Sequence, residues 1–116
     1  MKILGIGVDI VKNKRIKLLI KNKSFIKRIY SNNEIKFSKN IKNRVNYFAK
    51  RFVAKEALSK AFGTGFRNNL NYKDIEILND ELGKPYYFLS KKIKNIAYKK
   101  FRIDNLNYFL SITDEK

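Results

Sequence analysis

The sequence predicts an α+β fold, an antiparallel sheet packed against one long central helix, on three observations. Residues 44–62 carry Val45, Phe48, Phe52, Ala57, Leu58 and Ala61 as an apolar stripe at helical spacing, with Gly63 placed to end the helix. Residues 74–79 and 85–89 are rich in β-branched and aromatic side chains and flank the turn-forming Asn79, Asp80 and Gly83, which predicts a hairpin. Shorter amphipathic segments stand before and after these two features rather than alternating with strands, so helices and antiparallel strands are mixed within one unit.

Taken in order, residues 3–11 are apolar and β-branched, interrupted by Gly5, Gly7 and Asp9, and predict a buried strand whose end carries an acid. Ile16, Leu19 and Ile20, then Phe25, Ile26 and Ile29, recur at helical spacing in a lysine-rich background and predict one or two short helices. Ser31 followed three residues later by Glu34 is a capping box that opens a helix over residues 32–37. Residues 38–46 are basic and polar and read as a loop into the central helix. Beyond the hairpin, Ser90 caps a helix bearing Ile93, Ile96 and Ala97, and residues 108–112 read as a last strand. No linker, repeat or low-complexity block divides the chain, so residues 1–116 are expected to form one domain.

The 116 residues suffice for one modest core. No apolar run approaches the ~20 residues that cross a bilayer, and the amino-terminal apolar stretch is broken too early by Asp9 for a secretory signal, so a cytoplasmic protein is expected. The chain has neither cysteine nor histidine. Thiol nucleophiles, Ser-His-Asp triads, zinc fingers and imidazole-held metals are therefore excluded, and a metal would have to be bound by oxygen, as Mg2+ or Ca2+ are. With 27 basic against 10 acidic residues, the net charge of +17 suits an anionic partner, although a coding bias toward Lys, Asn and Ile would raise it too.

Gly5-Ile6-Gly7 is not a dinucleotide fingerprint, because position 10 is Ile and the glycines lie inside the strand. Gly63-Thr64-Gly65 follows a helix, whose terminal carbonyls repel phosphate, and serves as a cap and turn. Two acids stand out instead. Glu56 sits in the Ala-rich segment RFVAKEALSKAFGT with Lys60 one turn on, about 6 Å up the axis, and the plain reading is a solvated i, i+4 ion pair. Asp9, on an apolar strand, is costly to bury unless paired or bound to a cation; its plain reading is a strand end or a helix cap. Brought together, Asp9 and Glu56 would offer two hard oxygens to Mg2+, with Lys60 as a point charge for phosphate.

GIGVDIV near the start, FAKRFVAKEALSKAFGTG in the middle, DIEILNDELGKPYYFL after it and LSIT near the end, in this order and spacing, closely resemble the small bacterial 4'-phosphopantetheinyl transferases, the holo-acyl-carrier-protein synthases. The resemblance spans residues 2–113 and implies the 4'-phosphopantetheinyl transferase fold. It implies transfer of phosphopantetheine from coenzyme A to a serine of apo-acyl carrier protein, leaving adenosine 3',5'-bisphosphate, in support of fatty acid biosynthesis. Carried over to this chain, it makes Asp9 and Glu56 the Mg2+ ligands and Lys60 a contact to coenzyme A phosphate or the transferring group. With no histidine present, the base for the serine proton is a carboxylate such as Glu56 or a water on the metal, and the sequence does not choose. Arg44 and Arg51 are either coenzyme A phosphate contacts or ordinary solvated cations. The acidic carrier would be received by Arg15, with Lys21, Lys23 and Arg28 as further contributors. The resemblance also implies a homotrimer with active sites between subunits, and no partner in nucleic acid or membrane.

Two departures from the family pattern matter. Asp114 stands where many relatives carry a histidine, which puts any nucleotide contact of that residue in doubt. Relatives also continue past this point with another apolar strand; its absence is expected to expose a sheet edge and weaken the trimer. A basic nucleic-acid-binding module and a carrier-binding relative without catalysis are the competing functions. The first lacks an aromatic RNA-binding strand, zinc ligands or a helix-turn-helix.

Overall fold

A computed structural model describes residues 3–6, 13–63, 66, 70–102 and 106–112. Three short helices open the fold: α1 (Asn13–Leu19), α2 (Lys23–Ile29) and α3 (Asn32–Ser38). Each start has a local cause. The Asn22 side chain accepts the backbone N–H groups of Ser24 and Phe25 at 2.9 and 3.3 Å, and Ser31 with Glu34 forms the reciprocal capping box that the sequence announces. The central helix α4 (Arg44–Ala61) is capped by Asn43, whose side chain accepts from the Asn46 N–H at 3.0 Å. It ends at Phe62 and Gly63, the latter at φ 80°, where a side chain would be strained.

A 3₁₀ turn (Tyr72–Asp74) leads into β1 (Ile75–Asn79), which pairs antiparallel with β2 (Pro85–Leu89). Ile75 faces Leu89, Ile77 faces Tyr87 and Asn79 faces Pro85. Asp80 holds the hairpin turn by accepting from Leu82 and Lys84, and Gly83 takes φ 84° there. Helix α5 (Lys91–Phe101) begins at Ser90, which accepts from the Ile93 N–H, and ends on Arg102 in the left-handed region.

Helix α4 joins two apolar clusters. Its first half contributes Tyr47, Phe48, Ala49 and Phe52 to a core shared with Ile16, Phe25, Ile29 and Tyr30 of the opening helices. Its second half contributes Ala54 and Leu58, with Phe62 just beyond, to a core shared with Ile75, Ile77, Ile93 and Ala97. Where the two meet lies a charged pair that is wholly buried. Lys55 Nζ donates to Glu34 Oε1 at 2.7 Å and to the carbonyls of Tyr72 and Ile75 at 3.0 and 2.5 Å. The Glu34 carboxylate also accepts from the backbone N–H groups of Ser31 and Ile77 at 2.9 and 3.1 Å. Three acceptors match the three N–H bonds of an ammonium, and the pair fastens α3, α4 and β1 to one another. Burial lowers the Lys55 pKa, and Glu34 pulls it back up.

The strand expected over residues 108–112 is not formed. Leu106, Tyr108, Leu110 and Ile112 are half-buried against the second cluster while Asn107, Phe109 and Ser111 are exposed, so the alternation of a strand is present without a ladder. The side chains have a core to pack on, but among the described residues the backbone lacks a neighbouring strand to complete it. Of the strand expected over residues 3–11, residues 3–6 are irregular and the rest lies outside the described residues. Gly5 abuts the last turn of α4, where an added Cβ would lie 2.3 Å from the Ala61 carbonyl oxygen; that close approach requires glycine.

Candidate active site

Glu56 and Lys60 project from the second half of α4, one turn apart. Lys60 is exposed and Glu56 half-buried. The Glu56 carboxylate is oriented: its Oε1 accepts the Tyr72 hydroxyl at 2.7 Å, and the described residues place no donor on Oε2. The Tyr72 ring is stacked against Phe66 at 3.6 Å and Phe52 at 5.5 Å between centroids, each at 18° between planes. Ala57 and Ala61, next in the chain to Glu56 and Lys60, line an apolar cleft of about 590 Å³ together with residues 3–6 and 106–111. The cleft has the size small ligands occupy, and α4 lines it with the chain neighbours of Glu56 and Lys60 rather than with those two side chains.

Asp9, the partner assigned to Glu56 from the sequence, lies outside the described residues, as do Thr64, Gly65 and Asp114. Among the described residues no three acidic side chains converge. The donor chemistry nevertheless fits Mg2+, because Glu56 presents a half-buried oxygen without a described donor and the chain has no cysteine or histidine to compete. Mg2+ needs only one or two carboxylates when water and phosphate complete its shell.

The two arginines separate. Arg44 is exposed at the start of α4, its guanidinium 5.5 Å from the Phe48 ring centroid. Arg51 is 4% exposed, which rules out the ordinary solvated cation. Its guanidinium lies 3.8 Å from the Tyr47 ring centroid and donates to the Asn79 side chain, while its buried Nε has no partner among the described residues. A phosphate would reach Arg51 only by displacing those contacts. Burial lowers the Arg51 pKa and raises that of Tyr47 to about 12, the two partly offsetting each other. Arg15 on α1, Lys21 in the following turn, and Lys23 and Arg28 on α2 are all exposed, on a part of the surface built from the first two helices.

Sequence reasoning missed Tyr72 and the burial of the Glu34–Lys55 pair. The second was signalled: 48, 52, 55, 59 and 62 follow helical three- and four-residue spacing, which sets Lys55 on the same face as Phe48 and Phe52. Tyr72 carried no such signal, since its hydroxyl meets Glu56 only once the chain has turned back from α4 into β1.

Residues 5–113 match the model of the 4'-phosphopantetheinyl transferase superfamily. The chain belongs to this superfamily. Within it, the chain is 59% identical to the holo-[acyl-carrier-protein] synthase of Pelagibacter ubique over 116 residues, covering all of this chain and 91% of that protein. The crystal structure of the holo-[acyl-carrier-protein] synthase of Neisseria meningitidis superposes with a TM-score of 0.78 at 40% identity, covering 85% of this chain and 81% of that one. A holo-(acyl-carrier-protein) synthase of Bacillus anthracis, solved in complex with CoA (3',5'-ADP), gives 0.69 at 40% identity, covering 76% of each chain. The α+β fold of the transferase is thereby that of the superfamily, as its sequence predicts.

Proposed function

We propose that this chain is a holo-acyl-carrier-protein synthase: it moves the 4'-phosphopantetheine group of coenzyme A onto a serine of apo-acyl carrier protein, in support of fatty acid biosynthesis. The observation that carries the reading is Glu56, held by Tyr72 with Lys60 one turn away on α4, in a chain that matches the superfamily from residue 5 to residue 113. In the reaction the serine hydroxyl oxygen forms a bond to the phosphorus that carries pantetheine. The phosphoanhydride bond breaks, adenosine 3',5'-bisphosphate leaves with the electron pair, and the serine proton passes to a base. There is little covalent work for the protein in such a transfer; it positions the reactants and neutralises charge.

Glu56 and Asp9 are the residues that would hold Mg2+. Mg2+, when bound, supplies positive charge to the pyrophosphate oxygens. Lys60, exposed on α4, adds a point charge for the same phosphates, and Arg44 is a second cation in reach of solvent-borne phosphate. Arg51 is the weakest of the assigned phosphate contacts, because its guanidinium is already engaged inside the fold. For the proton, Glu56 is the carboxylate at hand among the described residues. Arg15, Lys21, Lys23 and Arg28 form the basic surface offered to an acidic carrier, where exposed charge chiefly accelerates encounter.

Residues 1–116 are read as one transferase domain working in the cytoplasm; no described helix is long and apolar enough to cross a membrane. A homotrimer with active sites between subunits is the assembly we favour. Its support is the strand-like segment 106–112, which has no ladder partner among the described residues and carries Phe109, 81% exposed. Native mass of the particle tests the assembly. The activity is tested by incubating the protein with coenzyme A, Mg2+ and apo-carrier: a carrier heavier by one phosphopantetheine supports the reading, binding without that mass gain rejects catalysis, and Mg2+-insensitive polyanion binding alone rejects the reading altogether.

A further inference from the structure

We infer that Tyr72 is a positioning residue for Glu56, setting the carboxylate for a divalent ion; this rests on the metal reading above. A glutamate on a helix surface has several rotamers, and a ligand that must be ordered at each binding event binds less tightly. Here one oxygen is already held by the Tyr72 hydroxyl at 2.7 Å, and the other has no donor among the described residues. The hydroxyl is itself fixed at three points. Phe52 and Phe66 stack against the ring, so its plane cannot swing. The buried Lys55 ammonium grips the Tyr72 carbonyl oxygen at 3.0 Å, anchored in turn by Glu34. Asp74 accepts from the Asn71 N–H at 2.9 Å and from Lys92 Nζ at 2.8 Å, which closes the 3₁₀ turn carrying Tyr72.

Lys55 and Glu56 are consecutive on α4, one turned inward to the Tyr72 backbone and the other receiving the Tyr72 hydroxyl. The helix and the turn therefore clasp one residue from both ends. Hydrogen-bond partners behind a metal ligand typically change affinity by about 10–100-fold.

Tyr72→Phe separates this role from packing, because it keeps the ring between Phe52 and Phe66 and removes only the hydroxyl. Binding of Mn2+, used as a spectroscopic probe without coenzyme A, is measured on the whole protein for the wild type, Tyr72→Phe and Glu56→Gln, with thermal unfolding in parallel. Tyr72→Phe is expected to melt with the wild type, bind Mn2+ about tenfold more weakly, and raise the KM for Mg2+ more than it lowers kcat. Tyr72→Leu is expected to lose stability as well. Wild-type Mn2+ affinity in a folded Tyr72→Phe overturns the inference, as does a Tyr72→Phe that melts as early as Tyr72→Leu. If Glu56→Gln binds Mn2+ as well as the wild type, the metal reading beneath it fails instead, and the two failures are told apart by that variant.

Discussion

Lys55→Met removes one charge from a place where water cannot replace it. Both partners of the Glu34–Lys55 pair have no side-chain exposure. The methionine keeps the length and the apolar stem, so the cavity term is small. What changes is that Glu34 retains the Ser31 and Ile77 N–H donors but loses its counter-charge, and the carbonyls of Tyr72 and Ile75 lose a donor. Breaking a buried pair from one side costs about 3–5 kcal/mol. The two remaining N–H bonds to Glu34 argue for the middle of that range, and a domain holds only about 5–15 kcal/mol in all. Urea unfolding followed by circular dichroism at constant m reads the loss directly. Glu34→Gln combined with Lys55→Met should cost less than the sum of the two single changes by at least ~1.5 kcal/mol, since neither charge is then left alone. Salt should not alter the effect, because a dry pair is poorly screened. A Lys55→Met protein within about 1 kcal/mol of the wild type, or strict additivity of the double variant, would refute the reasoning.

Glu56→Gln keeps the acceptor for Tyr72 and should lower turnover about a thousandfold while carrier binding, followed by titration of apo-carrier, stays near wild type; Asp9→Asn should behave likewise. Changing Arg15, Lys21, Lys23 and Arg28 together to Gln should slow carrier association about tenfold or more at low salt, and stopped-flow traces of the wild type at high salt should reproduce that loss. Stability should fall as pH rises from 10 toward 12. Tyr47 has its pKa raised by burial from 10.0 to about 12, so in this window the unfolded chain has already released a proton that the folded one keeps. Tyr30, Tyr87 and Tyr108 shift in the same direction from the same cause. Lys55, lowered by burial from 10.5, has the opposite slope below that value, and Tyr47→Phe isolates the tyrosine contribution. An unfolding midpoint flat across pH 10 to 12 would count against it.

Most helix starts were legible because capping is local chemistry: Ser31 with Glu34, and Ser90, act on N–H groups within three residues of themselves. The hairpin was legible for the same reason, since Asn79, Asp80 and Gly83 carry its turn. A strand is different. Residues 106–112 have the right alternation, but a ladder depends on a second backbone alongside, which no stretch of seven residues encodes.

The candidate site divides along the same line. Glu56, Lys60 and Asp9 could be proposed from residue type and spacing, because the chemistry of phosphate and Mg2+ restricts which side chains serve. Their supporting contacts could not. Tyr72 meets Glu56 across 16 positions, Lys55 meets Glu34 across 21, and Arg51 is drawn inward to Asn79 across 28. By itself the sequence determined the helices, the hairpin and the family, which rest on interactions within a few residues or on chemical identity. Tertiary structure alone decided which cations are solvated and which carboxylate is held, because burial and long-range hydrogen bonds exist only after the chain has folded back on α4.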